Sequence, residues 1–271
     1  MHRPTSATSD TDVMLAIDIG NTHTRFAILQ RGLIVWHKAL STDLLRSARQ
    51  AQKLIRPMSQ DLLAKFGQIR QIGVASVVPQ ASAHLLPAVE QVFSTSILNI
   101  SAHLKLPFKI CYKTPETLGA DRIALLAFAR LHFPKQAVIA IDFGTAITYD
   151  ILRANGDYLG GMILAGMHTA ATALSQRAAQ LPTFDLPYQP RLIGRSTIEC
   201  LQSGTFWGTV AQTDGLIARL KDALRLTYKE PNVAVLATGG DAKRLATAVK
   251  AIDAVEQDAV LFGIRIIAAH Q

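Results

Sequence analysis

The 271-residue sequence has only two cysteines, Cys111 and Cys200. They stand alone, without the paired spacing of a zinc or dithiol site, so reduced thiols in a cytoplasmic protein are expected. Long apolar runs are also missing. The apolar stretches are short and broken by Asp, Arg or Gly, and none could span a bilayer. The opening residues, MHRPTSATSDTD, lack an apolar signal core and read as a frayed polar extension. Neither a GxxxxGK[ST] loop nor a protein-kinase glycine loop occurs, which disfavours the better-known phosphoryl-transfer folds.

Charged residues are only 18% of the chain, against 49% hydrophobic, so a folded globular protein is expected. The formal net charge of +8 favours anionic ligands, but the charges are scattered. The densest basic run, Arg46, Arg49, Lys53 and Arg56, has helical spacing and suits a solvated face better than a nucleic-acid surface.

What is present is a stretch that occurs twice. LAIDIGNTHTRFAI at 15–28 and IAIDFGTAITYDIL at 139–152 share Ala16, Ile17, Asp18, Gly20 and Thr24 with Ala140, Ile141, Asp142, Gly144 and Thr148. Each copy is an apolar run ending in Asp and Gly, then small polar residues, then a second apolar run. That is the pattern of strand, tight turn, strand. Glycine admits a ligand close to the backbone, and successive N–H groups form an anion-binding concavity. An Asp there repels a phosphate unless a metal ion lies between them. Two such turns suit a nucleotide–metal complex; as a bland alternative they are buried hairpins with Asp as turn former.

Between the copies, strand and helix alternate. Two or three antiparallel strands are expected over 13–35, a helix over 41–66 interrupted at Pro57, a strand over 72–78, a helix over 82–93 and a strand over 96–100. An irregular connector follows over 101–122, then a helix over 123–132. The second half should continue from its repeated strand through a Gly-rich hairpin near 156–162 and a helix over 166–180. A long helix over 197–223 follows, with Gly204 and Gly208 four apart on one face, then a strand over 233–236 entering Thr238-Gly239-Gly240-Asp241. Similar openings in both halves imply duplication: an α/β protein of two like domains, 14–133 and 134–271, with a cleft between them.

Gly119-Ala120-Asp121-Arg122 places a carboxylate and a guanidinium side by side at a helix start. Arg binds a carboxylate or phosphate through a planar fork, and Asp accepts the proton of an attacking hydroxyl. A helix cap with a surface Arg is the plain alternative.

In this order and spacing, Asp18-Ile19-Gly20-Asn21-Thr22, Gly119-Ala120-Asp121-Arg122, Asp142-Phe143-Gly144-Thr145-Ala146, Gly160-Gly161 and Thr238-Gly239-Gly240 resemble the type III pantothenate kinases, from Leu15 to the C-terminus. The resemblance implies two duplicated actin-like, ribonuclease H-like domains with ATP between them, as in the acetate and sugar kinases, the heat-shock ATPases and actin. It implies phosphorylation of pantothenate to 4'-phosphopantothenate, the first step toward coenzyme A. By the same resemblance Asp18, Gly20, Asn21, Thr22, His23, Thr24 and Arg25 form the first phosphate loop, with Asp18 near Mg²⁺. Thr145 contacts ATP, and Gly239 and Gly240 line its adenosine side. Asp121 is the proton acceptor. Gly119, Ala120, Asp121 and Arg122 with Tyr112 form the pantothenate site, which Thr197 enters from the partner subunit of a homodimer. Asp142 holds a monovalent cation, K⁺ or NH₄⁺. One position departs: Ala165 stands where the family usually has Pro in GGxIxPG, which puts the rigidity of that loop in question. Some relatives are named Bvg accessory factors, so the rival reading is a nucleotide-binding transcriptional accessory factor without catalysis. An intact Asp121 argues against it.

Overall fold

A computed structural model describes residues 13–178 and 180–271, and the expected polar extension lies outside them. Apart from Asp18, strand β1 (Val13–Ile19) is apolar, and it is buried throughout, as suits a central strand. A tight turn returns the chain as β2 (His23–Gln30), and β3 (Leu33–Ser41) completes an antiparallel meander. Helix α1 (Ala48–Phe66) is capped by the Ser47 side chain, which accepts from Gln50 N. Then come β4 (Gln71–Ser76), α2 (Pro79–Phe93) and β5 (Ile97–Asn99). β4 pairs parallel to both β1 and β5, giving a five-stranded sheet in the order β3-β2-β1-β4-β5. Val13, Leu15, Ile17 and Ile19 point to the side covered by α1 and α2.

The chain then adds a two-residue strand, β6 (Lys109–Ile110), within the expected connector, and forms helix α3 (Ala120–His132). β7 (Ala137–Phe143), β8 (Ala146–Leu152) and β9 (Asp157–Ala165) repeat the meander. After α4 (Met167–Arg177) and α5 (Thr197–Tyr228) come β10 (Val233–Thr238), α6 (Ala242–Ala246), β11 (Ala254–Val255) and α7 (Ala259–Ala268). The second sheet has the order β11-β10-β7-β8-β9-β6. Five of its strands, β9-β8-β7-β10-β11, follow the path of β3-β2-β1-β4-β5, and β6 is an addition at the edge. The duplication read from two short motifs is therefore a duplication of topology.

Contacts divide the chain into two units: 1–106 with 114–128 and 260–271, and 107–113 with 129–259. The units interleave along the chain rather than dividing at 133/134. The C-terminal helix α7 belongs with the first unit, where Phe262 stacks on Phe128 and a Cβ at Gly263 would overlap the carbonyl of Ala124. Residues 107–113, by contrast, are held on the second sheet.

Three local expectations change. Helix α1 runs through Pro57 unbroken. Pro57 is exposed, so the hydrogen bond it forfeits lies on the solvent side, while buried Ala51, Ile55, Met58 and Leu62 hold the helix to the sheet. Arg46, Arg49, Lys53 and Arg56 form the solvated face expected of them. α2 starts at Pro79, three residues early, because Pro suits the first helical position. α5 extends to Tyr228, and among the described residues a Cβ at Gly204 or Gly208 would meet no atom within 4 Å, so no described element packs there.

Candidate active site

The first turn joins β1 to β2. Register places Asp18 opposite Arg25, and both Arg25 Nε and Nη2 donate to Asp18 Oδ2, at 3.0 and 2.7 Å. Asp18 is 7% exposed. Burial pushes its carboxyl above the usual range, and the Arg25 charge and hydrogen bonds pull it back. Gly20 N donates to His23 O, closing the turn, while Asn21, Thr22 and His23 stand exposed. Thr24 is fully buried. Its hydroxyl lies 3.0 Å from Thr42 Oγ1, which itself donates to Gly20 O at 2.7 Å. Thr42 N also donates to Thr22 O. Thr42 thus clamps the turn. Nothing in the motif signals it, because it reaches the turn only through the return of β3.

The second turn, between β7 and β8, is one residue tighter. Asp142 faces Thr148, so Thr148 occupies the place of Arg25, and its identity with Thr24 is an accident of ungapped alignment. Thr145 is exposed at the tip. Its carbonyl accepts from Gly166 N at 3.0 Å and from Thr169 Oγ1 at 2.7 Å. A Cβ at Gly166 would overlap Gly144 O, so α4 begins against this turn even with Ala165 in place of proline. Thr238 of β10 pairs with Asp142. Gly239 has φ +94°, and a Cβ there would overlap Asp142 Oδ1 and stand 2.7 Å from Phe143 O. Two oxygens therefore converge beside a position that only glycine can occupy.

The Gly119–Arg122 segment starts α3, with Asp121 in its first turn, where a carboxylate is stabilised by the helix end. Asp121 Oδ1 accepts from Arg122 N at 2.7 Å. A methyl at Gly119 would stand 2.5 Å from Asp121 Oδ1 and 3.4 Å from Val77 Cγ1. Val77 N in turn donates to Ile19 O at the start of the first turn. Val77 therefore links the Asp18 turn and the Asp121 loop at one edge of the first sheet. A cavity of about 410 Å³ opens beside it, lined by Ser76, Val77, Ser101, His103, Glu116 and Gly119 among others.

Asp18, Gly20–Arg25 and Gly119–Arg122 thus fall in the first unit; Tyr112, Asp142, Thr145, Thr197, Gly239 and Gly240 fall in the second. Thr197 is exposed on the first turn of α5, where the N-cap Ser196 Oγ accepts from Glu199 N and Glu199 Oε2 accepts from Arg195 N.

Among the described residues, no group of three or more His, Cys, Asp or Glu could hold a metal ion by itself. Among the described residues no helix is long and apolar enough to cross a membrane.

The sequence profile of the type III pantothenate kinases matches residues 14–219. The chain belongs to the type III pantothenate kinase family. It is 38% identical to the type III pantothenate kinase of Chlorobaculum parvum, over 98% of each chain. It is 34% identical to that of Myxococcus xanthus, over 94% of this chain and 97% of the relative. Among solved structures, a Baf family protein described as a transcriptional activator, from Campylobacter jejuni, superposes with TM-score 0.57 at 23% identity, covering 94% of this chain and 97% of that one. A polyphosphate/ATP-glucomannokinase from Arthrobacter gives 0.52 at 15% identity, covering 96% and 100%. These two establish the fold alone.

The adjacent glycines 239 and 240 give a contrast that other pairs do not. Gly239→Ala must strain a left-handed residue and displace Asp142, so it should cost about 1–3 kcal/mol or more. Gly240→Ala meets nothing within 4 Å and should change stability by no more than about 0.5 kcal/mol. Urea unfolding of both variants checks this. Equal effects would show that Gly239 is not wedged against Asp142.

Proposed function

We propose that this pantothenate kinase transfers the γ-phosphate of ATP to the primary hydroxyl of pantothenate, giving 4'-phosphopantothenate for coenzyme A synthesis in the cytoplasm. Family membership supports the reaction. The observation that carries the residue assignment is that Asp18 and Asp121 stand on two loops joined through Val77. One carboxylate serves the nucleotide and the other the acceptor alcohol.

The first unit's turn, Gly20–Arg25, receives the phosphates at its exposed tip, Asn21 to His23, with Asp18 close to the metal. Bound with ATP, Mg²⁺ would neutralise charge on the β- and γ-phosphates. In the second unit Thr145 contacts ATP, and Gly239 and Gly240 receive the adenosine. Asp121 orients the pantothenate hydroxyl and takes its proton late, since a free alcohol is too weak an acid to ionise first. Arg122, with its planar fork, and Tyr112 bind the rest of the substrate, the fork suiting the carboxylate. Most of the rate enhancement comes from positioning and charge neutralisation.

Two finer assignments belong to the same reading. Asp142 holds K⁺ or NH₄⁺, and the convergence of its Oδ1 with Phe143 O beside Gly239 supports an oxygen-lined cation position. Thr197 completes the substrate site of a partner subunit in a homodimer. Its exposure on α5 and the open Gly204–Gly208 face support this.

Asp121→Asn keeps the shape of the side chain and loses only its basicity. A coupled assay with ATP, Mg²⁺ and pantothenate should show a fall in kcat of roughly 100- to 10,000-fold. Retention of more than about half the rate at saturating substrate, against that range, would remove Asp121 as the base.

Activity should be low in Na⁺ and rise with K⁺ or NH₄⁺, and Asp142→Ala should abolish that response. Mixing Asp121→Asn with a Thr197→Ala variant should restore activity through dimers with one intact composite site. Full activity in Na⁺ alone would contradict the cation role. Absence of rescue with subunit exchange verified would contradict the shared site.

A further inference from the structure

Asp150 is a carboxylate with no part in the reaction above, yet it is completely buried in the second sheet. It accepts from Tyr158 Oη at 2.8 Å and from Thr148 Oγ1 at 3.3 Å. A buried carboxyl group must have its hydrogen bonds met, and the Tyr158 hydroxyl meets one of them. Its effect here is to fix the ring of Tyr158, itself fully buried.

That ring has a consequence one strand away. Edge strand β6 pairs parallel with β9, and its ends are tied by Lys109 N to Gly156 O at 2.8 Å and Cys111 N to Tyr158 O at 2.9 Å. Tyr112 follows at once, half-buried, with its ring centroid 5.9 Å from that of Tyr158 at a tilt of 34°. Phe108, at the other end of β6, meets Tyr158 edge-on at 6.5 Å. The β8–β9 register slips between Ile151 and Leu152, so Leu159 is an extra residue in β9. Gly160 absorbs this bulge at φ +115°. A Cβ at Gly160 would stand 3.3 and 3.4 Å from two carbons of the Tyr112 ring. The first glycine of the Gly160–Gly161 pair is thus a flat seat for an aromatic ring.

We propose that Asp150, Tyr158 and Gly160 are positioning residues that hold the Tyr112 ring in place for pantothenate. This rests on the reading of Tyr112 as a substrate contact. A ring already seated loses little rotamer freedom when substrate binds, so the network acts on pantothenate affinity and leaves nucleotide handling alone.

Steady-state kinetics of Tyr112→Ala, Tyr158→Phe, Gly160→Ala and the Tyr112→Ala/Tyr158→Phe double variant, each with its melting temperature, test this. Tyr158→Phe should raise KM for pantothenate about two- to tenfold, with the loss carried by that KM rather than by kcat or KM for ATP. Gly160→Ala should act in the same direction. In the Tyr112→Ala background, Tyr158→Phe should add no further loss, because the group it positions is gone. A Tyr158→Phe effect of equal size with and without Tyr112, or one shared by KM for ATP, would make Tyr158 merely structural and overturn the proposal. If Tyr112→Ala itself leaves KM for pantothenate unchanged, the substrate role of Tyr112 fails, a result distinct from failure of the positioning.

Discussion

A carboxylate at the mouth of a glycine turn is costly to bury unless a cation answers it, and this protein places one there twice, buried at Asp18 and half-buried at Asp142. Asp18 is satisfied by Arg25, directly across the β1–β2 ladder. Asp142 sits in the matching place on β7, with Thr148 across from it. The rest of the architecture serves to hold these two positions. Each carboxylate is carried by a central strand of its sheet, and each sheet repeats the same order of strands. What faces each Asp across the ladder differs, a guanidinium at the first and a threonine at the second.

The loops around the carboxylates are fixed by backbone contacts that tolerate little change. Thr42 bonds both Gly20 O and Thr22 O, and Gly166 and Thr169 both bond Thr145 O. Gly119 leaves space for the Asp121 carboxylate as Gly239 does for that of Asp142. Glycine acts in these places through missing volume, and only at Gly239 through its backbone angle as well.

The duplicated fold was legible in the sequence because its signal is local: an apolar run, Asp, Gly and a second apolar run fit within fourteen residues. The position of Asp121 at a helix start was legible for the same reason, as part of a four-residue cluster. What the sequence hid depends on distant parts of the chain. Thr42 meets the first turn only after a whole β-meander. α7 joins the first unit from the far end of the sequence. A two-residue strand such as β6 has no periodicity to detect, though it fixes Tyr112. Pro57 misled because its cost depends on the face it occupies, which composition does not reveal. The equation of Thr24 with Thr148 failed because a turn can lose one residue while keeping its Asp and Gly.

The central claim is that Asp18 is the position at which a phosphate-bound cation is received. Calorimetry of ATP binding, with and without Mg²⁺, in the wild type and in Asp18→Asn addresses it without relying on turnover. The account predicts that Mg²⁺ tightens ATP binding by about tenfold or more in the wild type, about 1.4 kcal/mol. The variant should lose most of that gain and should bind metal-free ATP better than the wild type, having lost a repulsive charge. An equal gain from Mg²⁺ in both proteins would contradict it.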